Sequence, residues 1–208
     1  MKLILTSSAE HVGEALAQEF NHPEKTRLLF IVTAAEGEKN GVNSSFIAKD
    51  RAGLEKADFQ ITEDTITGKS QNEIRDMLVK TDFCFVNGGN NFYLLKQMRE
   101  TGFDVEIKDF LARGGVYGGS SAGSVIVGPD VEPTRILESG DFGIQDTRGL
   151  NLVDFVVMPH WGSETFKDLY LHDRLEHAYS GEMPLIFLGD QQYLVVIDKK
   201  IEVKNVKK

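Results

Sequence analysis

The stretch Val116-Tyr117-Gly118-Gly119-Ser120-Ser121-Ala122-Gly123-Ser124 decides how this chain reads. It contains a Gly-x-Ser-x-Gly pattern centred on Ser121. An extended apolar run, Gly115–Tyr117, precedes it, and a run of small, helix-compatible residues, Ala122–Val127, follows. Strand, sharp turn and helix in that order are the setting of a nucleophile elbow, which lifts a serine hydroxyl clear of the backbone. Glycines flank such a serine because a Cβ there would collide with neighbouring backbone or with substrate. The helix aims its first N–H groups and its positive dipole end at an oxyanion formed beside the serine. Taken alone, the pattern fits a plain Gly/Ser-rich turn equally well, so the rest of the chain must decide.

Outward from that turn, short apolar runs alternate with amphipathic segments. The predicted strands are Lys2–Thr6, Leu28–Thr33, Asp58–Thr62, Phe83–Val86, Gly115–Tyr117, Phe155–Met158, Leu185–Leu188, Tyr193–Ile197 and Ile201–Val203. The predicted helices are Ala9–Phe20, Ser44–Lys56, Gln71–Lys80, Phe92–Thr101, Val105–Ala112, Ala122–Val127 and Glu164–Ser180. Most of the strands are unbroken apolar runs, the mark of strands buried on both faces of a parallel sheet. Alternation of strand and helix gives the same class, an α/β three-layer sandwich with a mostly parallel sheet. Lys199-Lys200 reads as a hairpin turn, which makes the last two strands an antiparallel edge. No repeat or linker divides the chain, and 208 residues fit one domain over 1–208.

The net charge of −9 argues against nucleic acid and against an anionic membrane surface, both of which call for basic residues. The lone cysteine, Cys84, lies in the apolar run Phe83–Val86 and reads as a buried hydrophobe. One cysteine cannot form an internal disulfide, and the N-terminus lacks the apolar core of a signal peptide, so a reducing, cytoplasmic setting is expected. No run reaches the roughly 20 apolar residues of a membrane span. No His-Glu-x-x-His or cysteine-pair signature calls for a metal, and no cofactor is expected. A homodimer is allowed but not specified.

In open α/β sheets ligands bind beyond the carboxyl ends of the strands. Four polar loops fall there: Thr6-Ser7-Ser8, Asn87–Asn91, Gly118–Gly123 and Pro159–Gly162. Ser121 needs an adjacent base, because its own proton is lost only far above neutral pH. His160 is the best candidate, since it follows a core strand directly and Pro159 fixes the exit. The other histidines, His11, His22, His172 and His177, read as solvated or structural. An acid should orient the imidazole, and Asp130, Glu132, Glu138, Asp141, Asp146 and Asp154 all lie between Ser121 and His160. The N–H groups of Gly89 and Ala122 can form a two-donor oxyanion hole. Their neighbours Gly88, Asn90 and Ser120 are candidate substrate contacts.

Three segments together resemble the peptidase E family, the serine dipeptidases related to aspartyl dipeptidase and cyanophycinase. They are Phe85–Leu95 with its Asn87-Gly88-Gly89-Asn90-Asn91 turn, Gly119–Gly123, and Leu150-Asn151-Leu152 continuing to Met158-Pro159-His160-Trp161. The resemblance covers roughly positions 80 to 165 well, and the N-terminal part in general pattern. It implies a flavodoxin-like sandwich close to the class I glutamine amidotransferase fold. It implies Ser121 as nucleophile, His160 as base, and Gly89 and Ala122 as oxyanion donors. For the acid it implies Glu138, with Asp141 as the alternative. Two departures stand out. Asn87 replaces the first of three family glycines, which would narrow or polarise the pocket. The arginine expected to hold an acidic substrate side chain is displaced to Arg174, on a predicted helix where it reads as a surface charge. A preference for N-terminal aspartate therefore does not follow.

The function expected is a serine exopeptidase acting on dipeptides or short peptides through an acyl-enzyme. An esterase-type acyl hydrolase shares the order serine, acid, histidine. A non-catalytic protein that cradles a small ligand in the same glycine-rich loops is the remaining alternative.

Overall fold

A computed structural model describes residues 1–137, 140, 142–179 and 182–206. Nine strands lie in the described residues: β1 (Lys2–Thr6), β2 (Arg27–Ile31), β3 (Gln60–Asp64), β4 (Phe83–Val86), β5 (Val116–Ser120), β6 (Val156–Pro159), β7 (Leu185–Leu188), β8 (Gln192–Ile197) and β9 (Lys200–Asn205). Seven of them form one sheet in the order β3-β2-β4-β5-β1-β8-β9. The first five in that order are parallel, while β8 pairs antiparallel with β1 and β9 antiparallel with β8. The expected hairpin edge is therefore present, with Asp198 and Lys199 at its turn. β6 and β7 stand apart as a parallel pair of their own. The result is a mixed α/β sandwich with a mostly parallel sheet, of the class I glutamine amidotransferase type.

Unbroken apolar strands bury both faces, and the side-chain period of two sends alternate residues to opposite cores. Leu3, Leu5, Leu29, Ile31, Cys84, Val86 and Tyr117 face one core. Ile4, Leu28, Phe30, Phe83 and Phe85 face the other. The first core is covered by α4 (Gln71–Val79), α5 (Asn91–Thr101), α6 (Phe103–Ala112) and α7 (Ala122–Val125), and also by β6 and β7. The second is covered by α1 (Ala9–Val12) and α3 (Ser45–Glu55). A short α2 (Thr33–Glu36), not foreseen from the sequence, follows β2. Cys84 is fully buried, which pushes its thiol far above the usual range and leaves it inert.

Two predicted helices turn out to be composite. Ala9–Phe20 is α-helical only to Val12 and continues as a 3₁₀ segment, Gly13–Glu19. The segment crosses α3 closely: a Cβ on Gly13 would lie 2.4 Å from the Gly53 carbonyl carbon, and one on Gly53 would lie 2.1 Å from the Ala9 oxygen. Glu164–Ser180 begins with short 3₁₀ and α turns, runs as a π-helix over Tyr170–Arg174, and ends as α-helix over Leu175–Tyr179. Ser180 lies outside the described residues. No helix of the described residues is long and apolar enough to cross a membrane.

Candidate active site

β5 ends at Ser120, and α7 begins at Ala122. Ser121 alone makes the turn between them, at φ 49° and ψ −111°. A non-glycine residue held there costs on the order of 1–3 kcal/mol and persists only where its surroundings over-determine it. The surroundings do so. Ser121 N–H donates to the Thr6 carbonyl at 3.0 Å, and the Ser121 carbonyl accepts the N–H groups of Ser124 and Val125. The Ser124 hydroxyl sits 2.8 Å from the carbonyls of both Thr6 and Gly119 and accepts the Thr6 N–H at 2.9 Å. The glycines are steric necessities. A Cβ on Gly119 would lie 2.3 Å from the Gly123 carbonyl carbon, and one on Gly123 would lie 1.9 Å from the Val86 oxygen. Turn and helix thus fit together only without side chains at those two positions.

His160 follows β6 and is a second strained residue, at φ 64°. Its Nε2 lies 3.0 Å from Ser121 Oγ, and its Nδ1 lies 2.8 Å from Asp190 Oδ1. Phe166 stacks on the imidazole with centroids 4.5 Å apart and planes 11° from parallel. The ring is thus fixed by a hydrogen bond at each nitrogen and by a flat contact on one face. A hydroxyl, an imidazole and a carboxylate in this series can move the hydroxyl proton onto Nε2, with the carboxylate holding the tautomer that has its proton on Nδ1.

Asp190 was not foreseen. The resemblance places the acid in the loop between Ser121 and His160, whereas Asp190 follows His160. Glu138 and Asp141, the residues expected there, lie outside the described residues. Asp146 pairs with Arg148 and Arg99 and is exposed. The signal for Asp190 was available, since it stands two residues beyond the predicted strand Leu185–Leu188, a strand end like the other four loops.

Beside Ser121 run Gly88 and Gly89. A Cβ on Gly88 would lie 3.2 Å from the Ser121 Cβ, so the turn presses directly on the serine. Gly89 has φ +140°, and a Cβ on it would lie 2.2 Å from the Ala34 carbonyl carbon. Only glycine fits. Among the described residues, the N–H groups of Gly89 and Ala122 have no hydrogen-bond partner. Asn90 turns away from the opening: it is fully buried and its carboxamide oxygen caps α5 by accepting the Tyr93 N–H at 2.9 Å. Asn87 is also fully buried, with both carboxamide atoms unpartnered, and is not among the residues lining the cavity, so it does not narrow it.

A cavity of about 440 Å³ opens over these groups. Ser121, His160, Asp190, Gly88 and Gly89 line it. Ser120 borders it, but its hydroxyl is committed to Asp50 Oδ2 at 2.6 Å. Asp50 also accepts the Glu10 N–H at 2.8 Å and the Ser8 hydroxyl at 3.2 Å. Burial raises the pKa of its carboxyl, and those donors oppose the shift. Arg174 corrects an expectation. It is not a surface charge: it is 3% exposed, lines the cavity, and donates to the Tyr170 hydroxyl at 2.9 Å while stacking over that ring. The π-helical turn brings Tyr170 and Arg174 together, and the Tyr170 hydroxyl donates to the Pro159 carbonyl just before His160. Among the described residues, no group of three or more His, Cys, Asp or Glu side chains is arranged to hold a metal.

The family model for peptidase family S51 matches residues 3–204. The chain belongs to peptidase family S51. S51 enzymes are serine peptidases, so this protein is a serine-type peptidase. It is 29% identical to an uncharacterized peptidase of Listeria monocytogenes over 206 residues, covering 98% of each chain. It is 31% identical to an uncharacterized peptidase of Pasteurella multocida, covering 94% of this chain and 93% of that one. A shorter match, 39% over 83 residues, joins it to peptidase E of Escherichia coli, covering 38% of this chain and 34% of the relative. Among solved structures, a Listeria monocytogenes protein provisionally designated peptidase E superposes with a TM-score of 0.88 at 27% identity, covering 99% of this chain and 98% of that one. A peptidase from an acI-B1 actinobacterium shares the fold at a TM-score of 0.70 and 17% identity, covering 98% of this chain and 87% of that one. The S51 membership agrees with the resemblance read from the three sequence segments.

Proposed function

We propose that this S51 peptidase is a serine exopeptidase of dipeptides or short peptides, working through Ser121, His160 and Asp190 with an acyl-enzyme intermediate. The observation that carries the reading is the 3.0 Å contact between Ser121 Oγ and His160 Nε2, with Asp190 at the other ring nitrogen. Asp190 takes the place that the sequence reading gave to Glu138 or Asp141. Nε2 accepts the Ser121 proton as Oγ attacks the scissile carbonyl. The tetrahedral oxyanion receives hydrogen bonds from the Gly89 and Ala122 N–H groups. His160 then gives its proton to the leaving amine, and water hydrolyses the ester under the same base. The cavity volume falls in the ~300–1,000 Å³ range of small-ligand sites, which suits a short peptide better than a long one.

The test is labelling with a fluorophosphonate and mass mapping of the adduct. Wild type is expected to be labelled at Ser121, Ser121→Ala not at all, and His160→Ala far more slowly. Absence of labelling in folded wild type, or an adduct on another residue, would overturn the scheme. A dipeptide library with acidic, basic and neutral N-terminal residues, run beside p-nitrophenyl esters, then separates a peptidase from an esterase. Acidic and basic members both belong in it, because Asp50 and Arg174 place buried groups of opposite charge type on one cavity.

A further inference from the structure

His160 and Asp190 follow β6 and β7, a strand pair that shares no ladder with the seven-stranded sheet carrying Ser121. Something must set the distance between the two sheets at the site. Ser7, the residue after β1, stands at that junction and is fully buried. Its hydroxyl donates to the Leu188 carbonyl at 2.5 Å and accepts the His160 N–H at 3.1 Å. Leu188 ends β7 two residues before Asp190, and its carbonyl also accepts the Trp161 N–H at 3.1 Å. One hydroxyl therefore grips the backbone on both sides of the His160–Asp190 contact. Its other attachment is β1, whose Thr6 is paired in register with Ser120 beside the Ser121 turn.

The chemistry of the group suits this role. A serine hydroxyl has one proton and two lone pairs. Here the proton goes to a carbonyl and a lone pair takes an amide N–H, so the polarity of both contacts is fixed. The amide held is that of His160, whose left-handed backbone needs outside restraint.

We propose that Ser7 is a positioning residue for the proton relay: it sets the His160–Asp190 unit against Ser121 by fastening β6 and β7 to the end of β1. The proposal rests on the assignment of Ser121, His160 and Asp190 made above. A misplacement of about 1 Å in such a unit can cost ~10²-fold in rate. Loss of the tie should therefore appear in turnover rather than in substrate affinity.

The experiment compares Ser7→Ala, Ser7→Cys and Ser7→Thr with a control, Thr101→Val. Thr101 is a buried hydroxyl remote from the site that donates to the Gln97 carbonyl at 2.7 Å. Steady-state kinetics, the rate of fluorophosphonate labelling and melting temperature are measured for each. The low-field NMR proton of His160 Nδ1 is followed alongside. Ser7→Ala is expected to lower kcat by about 10- to 100-fold with KM within about twofold, and to slow labelling in parallel. It should also broaden or shift the low-field proton. Ser7→Cys keeps the volume but hydrogen-bonds weakly, and carries the same expectation if Ser7→Ala does not fold. Ser7→Thr should restore most of the rate. Thr101→Val should lower the melting temperature while leaving kcat and the low-field proton in place. Normal kcat, labelling and NMR signal in folded Ser7→Ala or Ser7→Cys would overturn the proposal, as would equal rate losses in Thr101→Val. Wild type that is neither labelled nor active would instead strike at the underlying assignment of Ser121.

Discussion

Ser121 Oγ and His160 Nε2 are 3.0 Å apart, yet they are held by two regions built on different terms. The Ser121 turn belongs to the central sheet and is fixed by steric fit together with hydrogen bonds to Thr6 and Ser124. Gly119 and Gly123 admit no Cβ, and Val86, Thr6 and Ser124 close around the turn. The β6–β7 unit is held by polar ties and aromatic contacts: Ser7 to His160 and Leu188, Tyr170 to Pro159, Phe166 on the imidazole, and Trp161 against Phe187. Backbone packed on backbone tolerates almost no displacement. Hydrogen-bonded side chains tolerate some, and their exact partners decide where the strand pair comes to rest. The difference teaches that Ser121 is placed chiefly by backbone packed on backbone, while His160 and Asp190, at the ends of two core strands, also depend on a handful of side chains for their final position.

If that division is right, the largest effect on activity at constant fold belongs to the β6–β7 unit. Asp190→Asn should lower kcat by roughly 10⁴-fold, because an amide at Nδ1 no longer holds the productive tautomer. Glu138→Gln and Asp141→Asn, assayed beside it, should stay close to wild type; a large loss in either instead would return the acid to the loop between serine and histidine. The next effect comes from the glycine turn beside Ser121. Gly89→Ala puts a Cβ 2.2 Å from the Ala34 carbonyl carbon at φ +140°, so the turn must move and the proposed oxyanion donor with it. Turnover should fall by about 10²–10³-fold with Ser121 still present, measured as kcat on the best dipeptide.

On the steric side, Gly123→Ala should act on stability before chemistry. Its Cβ would lie 1.9 Å from the Val86 oxygen, and relieving that overlap should cost about 2 kcal/mol or more, read by urea unfolding. The smallest effect lies away from both regions, where Lys204 of β9 donates to Glu19 at 2.7 Å and Lys2 stands 3.4 Å from the same carboxylate. Burial works to raise the Glu19 pKa, but hydrogen bonding and charge from Lys204 and Lys2 outweigh it and leave the pKa lowered. A lowered folded pKa stabilises fully above the ordinary glutamate value of 4.5 and is lost as pH falls through the folded value. Lys204→Ala should therefore lower the melting temperature at neutral pH by about 1–4 °C, flatten its fall in acid, and leave kcat alone. A change in kcat would show that the hairpin edge and the site are coupled after all.

Much of this was legible in the chain itself. Unbroken apolar runs such as Phe83–Val86 declare burial on both faces, because no one-sided strand can afford them. Gly119-Ser120-Ser121-Ala122-Gly123 declares its turn, because local sterics and a short strand-to-helix connection leave little else for those residues to do. His160 could be picked out by its place at a strand end. What local sequence could not supply is pairing across space. It placed β6 and β7 correctly as strands but could not show that they leave the main sheet, since their apolar faces look alike in either arrangement. It read Arg174 as a surface charge, because a π-helical turn changes which side faces inward. It sought the acid before His160, whereas Asp190, 30 residues after it in sequence, reaches Nδ1 only because β7 lies beside β6. The sequence by itself determined the strands, most of the helices and the serine turn, each of which follows from neighbours along the chain. Tertiary structure alone decided which carboxylate meets His160 and which hydroxyl bridges the His160 and Leu188 backbones, because those contacts depend on how two separate sheets come to rest against each other.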